Sequence, residues 1–140
     1  MRIVVLSSGG KDSSAAWWWA QCRGWDVVAL VTVRIQDGDS HMFQVPSTKW
    51  VEQQAIAAQV DWYSVKASGS VDDEISSLEA VLDELDLDAI VSGALRSDFQ
   101  KVKLENMAHR LGIHSFSPLW HQDPYTHLHG RIENGCKIMI

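Results

Sequence analysis

Arg2-Ile-Val-Val-Leu6 is followed directly by Ser7-Ser8-Gly9-Gly10-Lys11-Asp12-Ser13 and then by a segment long enough for a helix. The apolar run predicts a buried β-strand, and the serine- and glycine-rich turn leads from that strand into the helix. At such a turn, unobstructed backbone amides and the positive end of the helix dipole converge on one point. This stretch therefore predicts a phosphate-binding site, although an ordinary Gly-Gly turn with a polar cap would have the same composition.

Two common nucleotide-binding motifs do not fit this loop. A Walker A motif needs a glycine where Val5 stands, and it needs Ser or Thr after Lys11, where Asp12 stands. The dinucleotide-binding pattern Gly-x-Gly-x-x-Gly is absent as well. The remaining pattern, Ser8-Gly-Gly-Lys-Asp-Ser13, resembles the loop of the PP-loop ATP pyrophosphatases. That resemblance implies cleavage of ATP between its α and β phosphates, with release of pyrophosphate and activation of an acceptor as an adenylate.

Short apolar runs and helix-length segments alternate along the chain. Such alternation predicts right-handed βαβ units, and hence a Rossmann-like α/β fold with a parallel sheet and helices on both faces. The PP-loop resemblance implies the adenine nucleotide alpha hydrolase-like variant of this fold (PP-loop/HUP type). The predicted strands are 2–6, 27–33, 61–66 and 89–92, and the predicted helices are 12–23, 48–59, 71–85 and 97–111.

Polar clusters follow two of the predicted strands. Residues 8–13 follow the first strand, and Ser92-Gly93-Ala94 follow the fourth. In parallel sheets of this kind, ligands bind beyond the carboxyl ends of the strands. Both clusters are therefore predicted to share one edge of the sheet and one site.

The phosphate grip is predicted to come from backbone amides and small hydroxyl groups, because a β-carbon would hold the phosphates away from the amides. Lys11 faces either the phosphates or solvent. Asp12 either holds Mg²⁺ against phosphate oxygens or caps the helix. From the general architecture of this fold we place the adenine against backbone near Val31 and Thr32. We expect the rest of ATP to contact Ser7, Ser8, Gly9, Gly10, Lys11, Ser13, Ser14 and Gly93.

A second group of polar residues lies at the start of the fourth predicted helix. Ser97 is placed to cap this helix. Asp98, Lys101 and Glu105 recur at three- and four-residue intervals along one helical stripe. A solvated ion-pair face would show the same spacing.

Several segments together resemble the diphthine ammonia ligase family of archaea and eukaryotes. The resemblance covers most of the chain and is most specific between Gly93 and Glu105. The matching segments are Ser92-Gly-Ala-x-x-Ser-Asp-Phe-Gln100 with the basic residues and Glu105 after it, Arg110-Leu-Gly112, Pro118-Leu-Trp120 and Ser40-x-Met42-Phe43.

By that resemblance, the enzyme amidates diphthine, a modified histidine of translation elongation factor two, to diphthamide. The diphthine carboxylate attacks the α phosphorus of ATP to give an acyl adenylate and pyrophosphate, and ammonium supplies the nitrogen that displaces AMP. The implied cofactors are ATP and Mg²⁺, and the implied partner is elongation factor two, with self-association left open. The residues that the resemblance assigns to catalysis are Asp12, Ser97, Asp98, Gln100 and Glu105.

Two alternatives stay open: another PP-loop adenylating enzyme that modifies tRNA, and a non-catalytic ATP-binding module. Thiolases among the tRNA enzymes use a pair of cysteines, whereas Cys22 and Cys136 lie far apart in this sequence. The net charge is −6, so no general attraction to nucleic acid is expected.

The 140 residues, 46% of them hydrophobic, predict one globular domain. No stretch is apolar enough to cross a bilayer, and a strand stands where a signal peptide would, so we expect a cytoplasmic protein. We assign residues 1–116 to an ATP-binding domain. We assign residues 117–140 to the start of an incomplete C-terminal substrate-binding region, because Lys137-Ile-Met-Ile140 reads as the opening of a strand. In the predicted loop before it, the spacing of His121, His127 and His129 with Asp123 does not define a metal site.

Overall fold

The computed structural model describes residues 1–35 and 48–138; the predicted loop at 36–47, with Ser40, Met42 and Phe43, and the last two residues lie outside this range. The strands are β1 (Arg2–Leu6), β2 (Asp26–Ile35), β3 (Asp61–Ala67), β4 (Ala89–Ser92) and β5 (His114–Phe116). The helices are α1 (Lys11–Cys22), α2 (Val51–Ala58, after a 3-10 turn at Thr48–Trp50), α3 (Val71–Asp83), α4 (Asp98–Leu111) and α5 (Pro124–Glu133). Nowhere in the two described ranges is a helix both long and apolar enough to cross a membrane.

The strands form one parallel sheet in the order β3-β2-β1-β4-β5. This arrangement confirms the predicted Rossmann-like α/β fold. The strand order reverses between β1 and β4, and ligands bind such sheets at this switch point. Leu6 pairs with Ser92, so the loops that follow β1 and β4 leave the sheet side by side.

Both faces of the sheet are buried, and successive residues of each strand point to opposite faces. Val4 belongs to a core cluster with Leu78 of α3 and Met107 of α4. Its neighbour Val5 belongs to a second cluster with Ala16 of α1, to which α2 also contributes. Helix α1 is therefore packed firmly against β1, and its first residues are held in place by this packing.

The histidine-rich segment, expected to be a loop, is in fact helix α5. Its start is well defined, because a carboxylate oxygen of Asp123 accepts a hydrogen bond from the amide of Thr126 at 2.8 Å, and Pro124 occupies the first turn. These are ordinary signals for a helix start. The loop prediction is wrong because the Asp123-Pro124 pair begins a helix in a segment whose polar composition alone favours a loop. α5 also contacts α1, with the Arg131 guanidinium 4.8 Å from the centre of the Trp18 ring.

Candidate active site

The loop after β1 is held in place by hydrogen bonds to β2. The amide of Ser7 donates to the carbonyl of Val31 at 2.8 Å, which extends the β1–β2 pairing past the end of the strand. The Thr32 hydroxyl donates to the Ser7 carbonyl at 3.0 Å. Gly9 has a φ of +78°, and its amide donates to the Ser7 hydroxyl at 3.2 Å. A residue with a β-carbon would rarely adopt this φ, so the turn depends on glycine at this position.

Helix α1 begins without a side-chain cap. Its N-cap residue is Gly10, and within the described chain no side-chain capping hydrogen bond is made at this end. By contrast, side-chain oxygens of Ser70, Ser97 and Asp123 cap α3, α4 and α5. The first amides of a helix carry partial positive charge and need an acceptor. The start of α1 therefore offers its amides to an anion, as the sequence predicts for phosphate.

Gly93, the first residue after β4, lies directly against the start of α1. A β-carbon at Gly93 would be 2.7 Å from the carbonyl carbon of Asp12 and 2.7 Å from the amide nitrogen of Ser13. Such distances are shorter than van der Waals contact, so only glycine fits here without a shift of the backbone. The prediction that the two loops share one edge is confirmed, since their backbones are in contact.

Asp12 lies in the first turn of α1 and is not the N-cap residue, which is Gly10. The Lys11 ammonium donates to both oxygens of its carboxylate, at 2.9 and 3.0 Å. The imidazole Nε2 of His127 lies 2.9 Å from Asp12 Oδ1. The N-cap alternative for Asp12 is therefore wrong, and its carboxylate is held between two basic side chains.

The position of Asp12 suits a magnesium ligand. Carboxylate oxygens are hard ligands, and Mg²⁺ commonly takes one or two of them together with phosphate oxygens and water. Across residues 1–35 and 48–138, no three His, Cys, Asp or Glu side chains are grouped so that they could hold a metal by themselves. A cation at Asp12 would therefore share its coordination with a phosphate-bearing ligand, and the magnesium role stays a prediction.

Two further predicted residues prove to be parts of the structural framework of the loop. The Ser13 hydroxyl is buried and donates to the carbonyl of Gly10 at 3.2 Å. The Thr32 hydroxyl accepts a hydrogen bond from the Trp62 indole at 3.1 Å in addition to donating to Ser7. A nucleotide beside Thr32 would therefore meet its backbone and not a free hydroxyl. Ser8 and Ser14 are half-buried near these residues.

The polar residues at the start of α4 lie at the same edge of the sheet. Ser97 caps the helix as predicted, since its hydroxyl accepts from the amide of Gln100 at 3.2 Å. Lys101 and Glu105 form an ion pair one turn apart, which agrees with the ion-pair interpretation of this stripe. Asp98 is exposed to solvent. The catalytic assignments of these residues stay predictions.

The segment after β5 packs against the loop after β4. The hydroxyl oxygens of Ser117 and Ser92 lie 3.2 Å apart. The amide of His121 donates to the carbonyl of Leu95 at 2.8 Å. Residues 118–120 are thereby held beside the start of α4. Ser117 belongs to none of the motifs described above, and its place directly after β5 is the signal that the sequence offers for it.

The three histidines and Asp123 have separate partners. His127 points to the phosphate loop, whereas His129 Nδ1 lies 3.2 Å from Glu133 Oε1 one turn further along α5. Asp123 caps α5, and the hydrogen bond from the Thr126 amide holds the pKa of its carboxyl below the ordinary value. These four residues therefore do not form a common metal site.

Fold and site together define a Rossmann-like α/β domain with a glycine-containing loop at the topological switch point. Residues 1–115 match the family model described as the diphthamide synthase N-terminal domain. The chain therefore belongs to the diphthamide synthase family.

Proteins named diphthine--ammonia ligase are similar to this chain. The zebrafish (Danio rerio) protein is 31% identical over the full length of this chain and 63% of its own. The protein from Schizosaccharomyces pombe is 28% identical over 84% of this chain and 23% of its own length, and the rat protein is 26% identical over all of this chain and 61% of its own. The chain thus spans less than two thirds of these relatives.

A solved structure has the same fold. It is the crystal structure of a predicted subunit of tRNA methyltransferase from Methanocaldococcus jannaschii, which is similar to this chain over 95% of its residues and 75% of the other chain, with a TM-score of 0.64. The sequence identity is 19%, so this likeness concerns the fold alone.

Proposed function

We propose that this chain binds ATP with its pyrophosphate end on the loop after β1. The proposal is supported by three features of this loop: the left-handed turn at Gly9, the uncapped start of α1 and the contact between Gly93 and the backbone of Asp12. The bound pyrophosphate would accept hydrogen bonds from the amides of Gly10 and Lys11 and from the Ser8 hydroxyl. Mg²⁺, when bound at Asp12, would neutralise charge on the pyrophosphate leaving group.

A grip on the β and γ phosphates favours cleavage between the α and β phosphates. Negative charge grows on the pyrophosphate as that bond breaks, and fixed donors stabilise this charge without having to reorganise. In this arrangement the α phosphorus would lie outside the loop and would receive the nucleophile. A bound pyrophosphate end and an accessible α phosphorus agree with the resemblance of residues 8–13 to the loop of PP-loop enzymes.

The nucleophile that we propose is the carboxylate of diphthine on translation elongation factor two. A carboxylate does not form an amide with ammonia directly. It must first form an acyl adenylate, from which ammonia displaces AMP. The acceptor and ammonia would approach from the α4 side, where Ser97, Asp98, Gln100 and Glu105 lie. The family membership and the names of the curated relatives support this substrate, and we expect the reaction to take place in the cytoplasm.

The single observation that carries the proposal is the contact of Gly93 with the start of α1. It joins the loop that is common to PP-loop enzymes to the segment, residues 93–105, that resembles diphthine ammonia ligases in particular. The two predicted half-sites would then form two sides of one binding site at the switch point.

The test is an assay of product formation. Purified full chain is incubated with [α-³²P]ATP, MgCl₂, ammonium chloride and elongation factor two that carries diphthine. We expect AMP and pyrophosphate in equal amounts, together with a mass loss of about 1 Da on the elongation factor for exchange of OH by NH₂. Omitting ammonium should stop amide formation, and unmodified elongation factor should give no AMP.

The outcomes separate the alternatives. AMP formation that requires tRNA and not the elongation factor would show a tRNA-modifying enzyme of the PP-loop class. ATP binding without either product would show a binding module. ADP and phosphate as products would contradict the proposed grip on the phosphates.

A further inference from the structure

His127 is a buried histidine that the proposed function leaves without a role. It lies in the first turn of α5, where its amide donates to the carbonyl of Asp123 at 2.9 Å. Its side chain is 2% exposed, and its Nε2 lies 2.9 Å from Oδ1 of Asp12. The contact joins positions 115 residues apart in the sequence. A residue outside the predicted ATP-binding domain thus reaches the phosphate loop.

The direction of this hydrogen bond follows from the chemistry of the two groups. An ionised carboxylate accepts hydrogen bonds and cannot donate one. Nε2 of His127 therefore carries the proton and donates it to Oδ1. The other partner of Asp12 is Lys11, whose side chain is half exposed. Lys11 also donates to Oδ1, but its side chain is half exposed, whereas the His127 ring is enclosed in the interior. The His127 ring is therefore the more restricted of the two partners of Oδ1.

Packing alone does not account for a histidine at this position. Nδ1 of His127 is buried, and it has no hydrogen-bond partner among the residues that the structure describes. Burial of a polar nitrogen without a partner destabilises the folded state, and a leucine of similar size would fill the space without this loss. The bond from Nε2 to Asp12 is the favourable interaction that the imidazole contributes.

We infer that His127 is a positioning residue for Asp12. It fixes Oδ1 from the side of α5, so that Oδ2, whose partner is the exposed Lys11, is turned to the phosphates and their cation. This inference rests on the proposed function, because it takes the ligand of the loop to be a magnesium nucleotide. It also makes α5 part of the ATP site.

The test compares three substitutions that differ in where they place a donor. His127→Gln brings an amide nitrogen to the position of Nε2, His127→Asn brings one only as far as Nδ1, and His127→Leu has none. We measure the Kd of magnesium α,β-methylene-ATP by calorimetry on the full chain. Loss of a hydrogen bond to a metal-binding carboxylate typically weakens binding by about 10-fold or more. We expect His127→Leu and His127→Asn to show this loss and His127→Gln to remain within about 3-fold of wild type.

A spectroscopic measurement tests the contact without nucleotide. Imidazole ¹⁵N–¹H spectra of wild type should show a slowly exchanging Nε2–H proton that is absent from His127→Gln and is lost in Asp12→Ala. The absence of such a proton from wild type would overturn the inference, even if His127→Leu failed to fold.

The binding results separate the two proposals. If wild type binds the nucleotide and the Leu and Gln variants bind it equally well or equally poorly, positioning by the hydrogen bond is wrong while the proposed function stands. If wild type does not bind the magnesium nucleotide at all, both proposals fail.

Discussion

The starts of α1 and α4 have similar sequences but differ in their N-terminal caps. Both helices follow parallel strands that pair with each other, and both are preceded by a turn that contains serine and glycine. At α4 the Ser97 hydroxyl accepts the hydrogen bond of a free helix amide. At α1 the N-cap residue is Gly10, and the described residues provide no side-chain cap. Under the proposed function, an anionic ligand supplies at α1 the hydrogen-bond acceptor that the Ser97 side chain supplies at α4.

The largest effect is expected from Gly93→Ala, which forces the loop after β4 away from the start of α1. A β-carbon 2.7 Å from the backbone of Asp12 and Ser13 displaces the loop. We expect pyrophosphate release to fall by more than about 10²-fold, since misplacement by about 1 Å has this effect. Overpacking should also lower the free energy of unfolding by about 1–3 kcal/mol. Product assays and urea denaturation measure the two effects.

Gly130→Ala is the matched control for this substitution. Gly130 lies within α5, and a β-carbon there would meet no atom within 4 Å beyond its chain neighbours and the adjacent helix backbone. Alanine in place of a helical glycine should raise stability by roughly 0.5–1 kcal/mol and leave turnover unchanged. Equal behaviour of the two variants would show that the close approach at Gly93 has no functional importance.

Ser8→Ala tests whether the Ser8 hydroxyl binds phosphate at the uncapped start of α1. Removal of one fixed donor from a phosphate grip is expected to lower the rate of pyrophosphate release by about 10²-fold. The free energy of unfolding should change by less than about 0.5 kcal/mol, because Ser8 caps no helix. Steady-state kinetics and urea denaturation of the same preparation give both numbers. A lower free energy of unfolding with an unchanged rate would show that Ser8 stabilises the fold and does not bind phosphate, which would contradict the contrast drawn between the two helix starts.

Ser97→Ala tests the side-chain cap at the start of α4. Loss of an N-cap hydroxyl typically lowers the free energy of unfolding by about 1 kcal/mol, and we expect this value from urea denaturation. Ser97→Asp, which keeps a capping oxygen, should restore stability. If Ser97→Ala leaves stability unchanged, the hydroxyl does not act as a cap in solution.

The smallest effect is expected at the ion pair between α3 and α4. The hydrogen bond from the Arg110 guanidinium holds the pKa of Glu79 below its ordinary value of 4.5. A carboxyl with a lowered pKa stabilises the fold above its ordinary pKa, and this contribution disappears as the pH falls through the lowered value. Glu79→Gln should therefore lower the urea midpoint slightly at pH 7, and the difference from wild type should vanish in acid. The effect is small because the Arg110 side chain is half exposed, so solvent screens the pair.

The sequence was sufficient for the parts of the molecule that depend on local pattern. The run from Arg2 to Leu6, the glycine turn and the capping serine of α4 each specify their structure within a few residues. The adjacency of the loops after β1 and β4 also follows, because parallel strands bring their carboxyl ends to one edge. The left-handed conformation of Gly9 agrees with the glycine turn, and the close approach of Gly93 to Asp12 agrees with the adjacency of the two loops.

The contact between α5 and the phosphate loop could not be predicted in the same way. It joins His127 to Asp12 across most of the chain, and it depends on how α5 packs against α1. No periodicity or motif in residues 117–140 specifies that packing. The start of α5 was accessible from Asp123-Pro124, but the partner of His127 was not.

A crystal structure of the full chain with magnesium α,β-methylene-ATP would test directly whether the loop after β1 binds the β and γ phosphates. We predict that the β and γ phosphates lie within hydrogen-bond distance of the amides of Gly10 and Lys11, with the α phosphorus open toward the start of α4. A nucleotide bound elsewhere, or one bound here with only its terminal phosphate open toward α4, would contradict it.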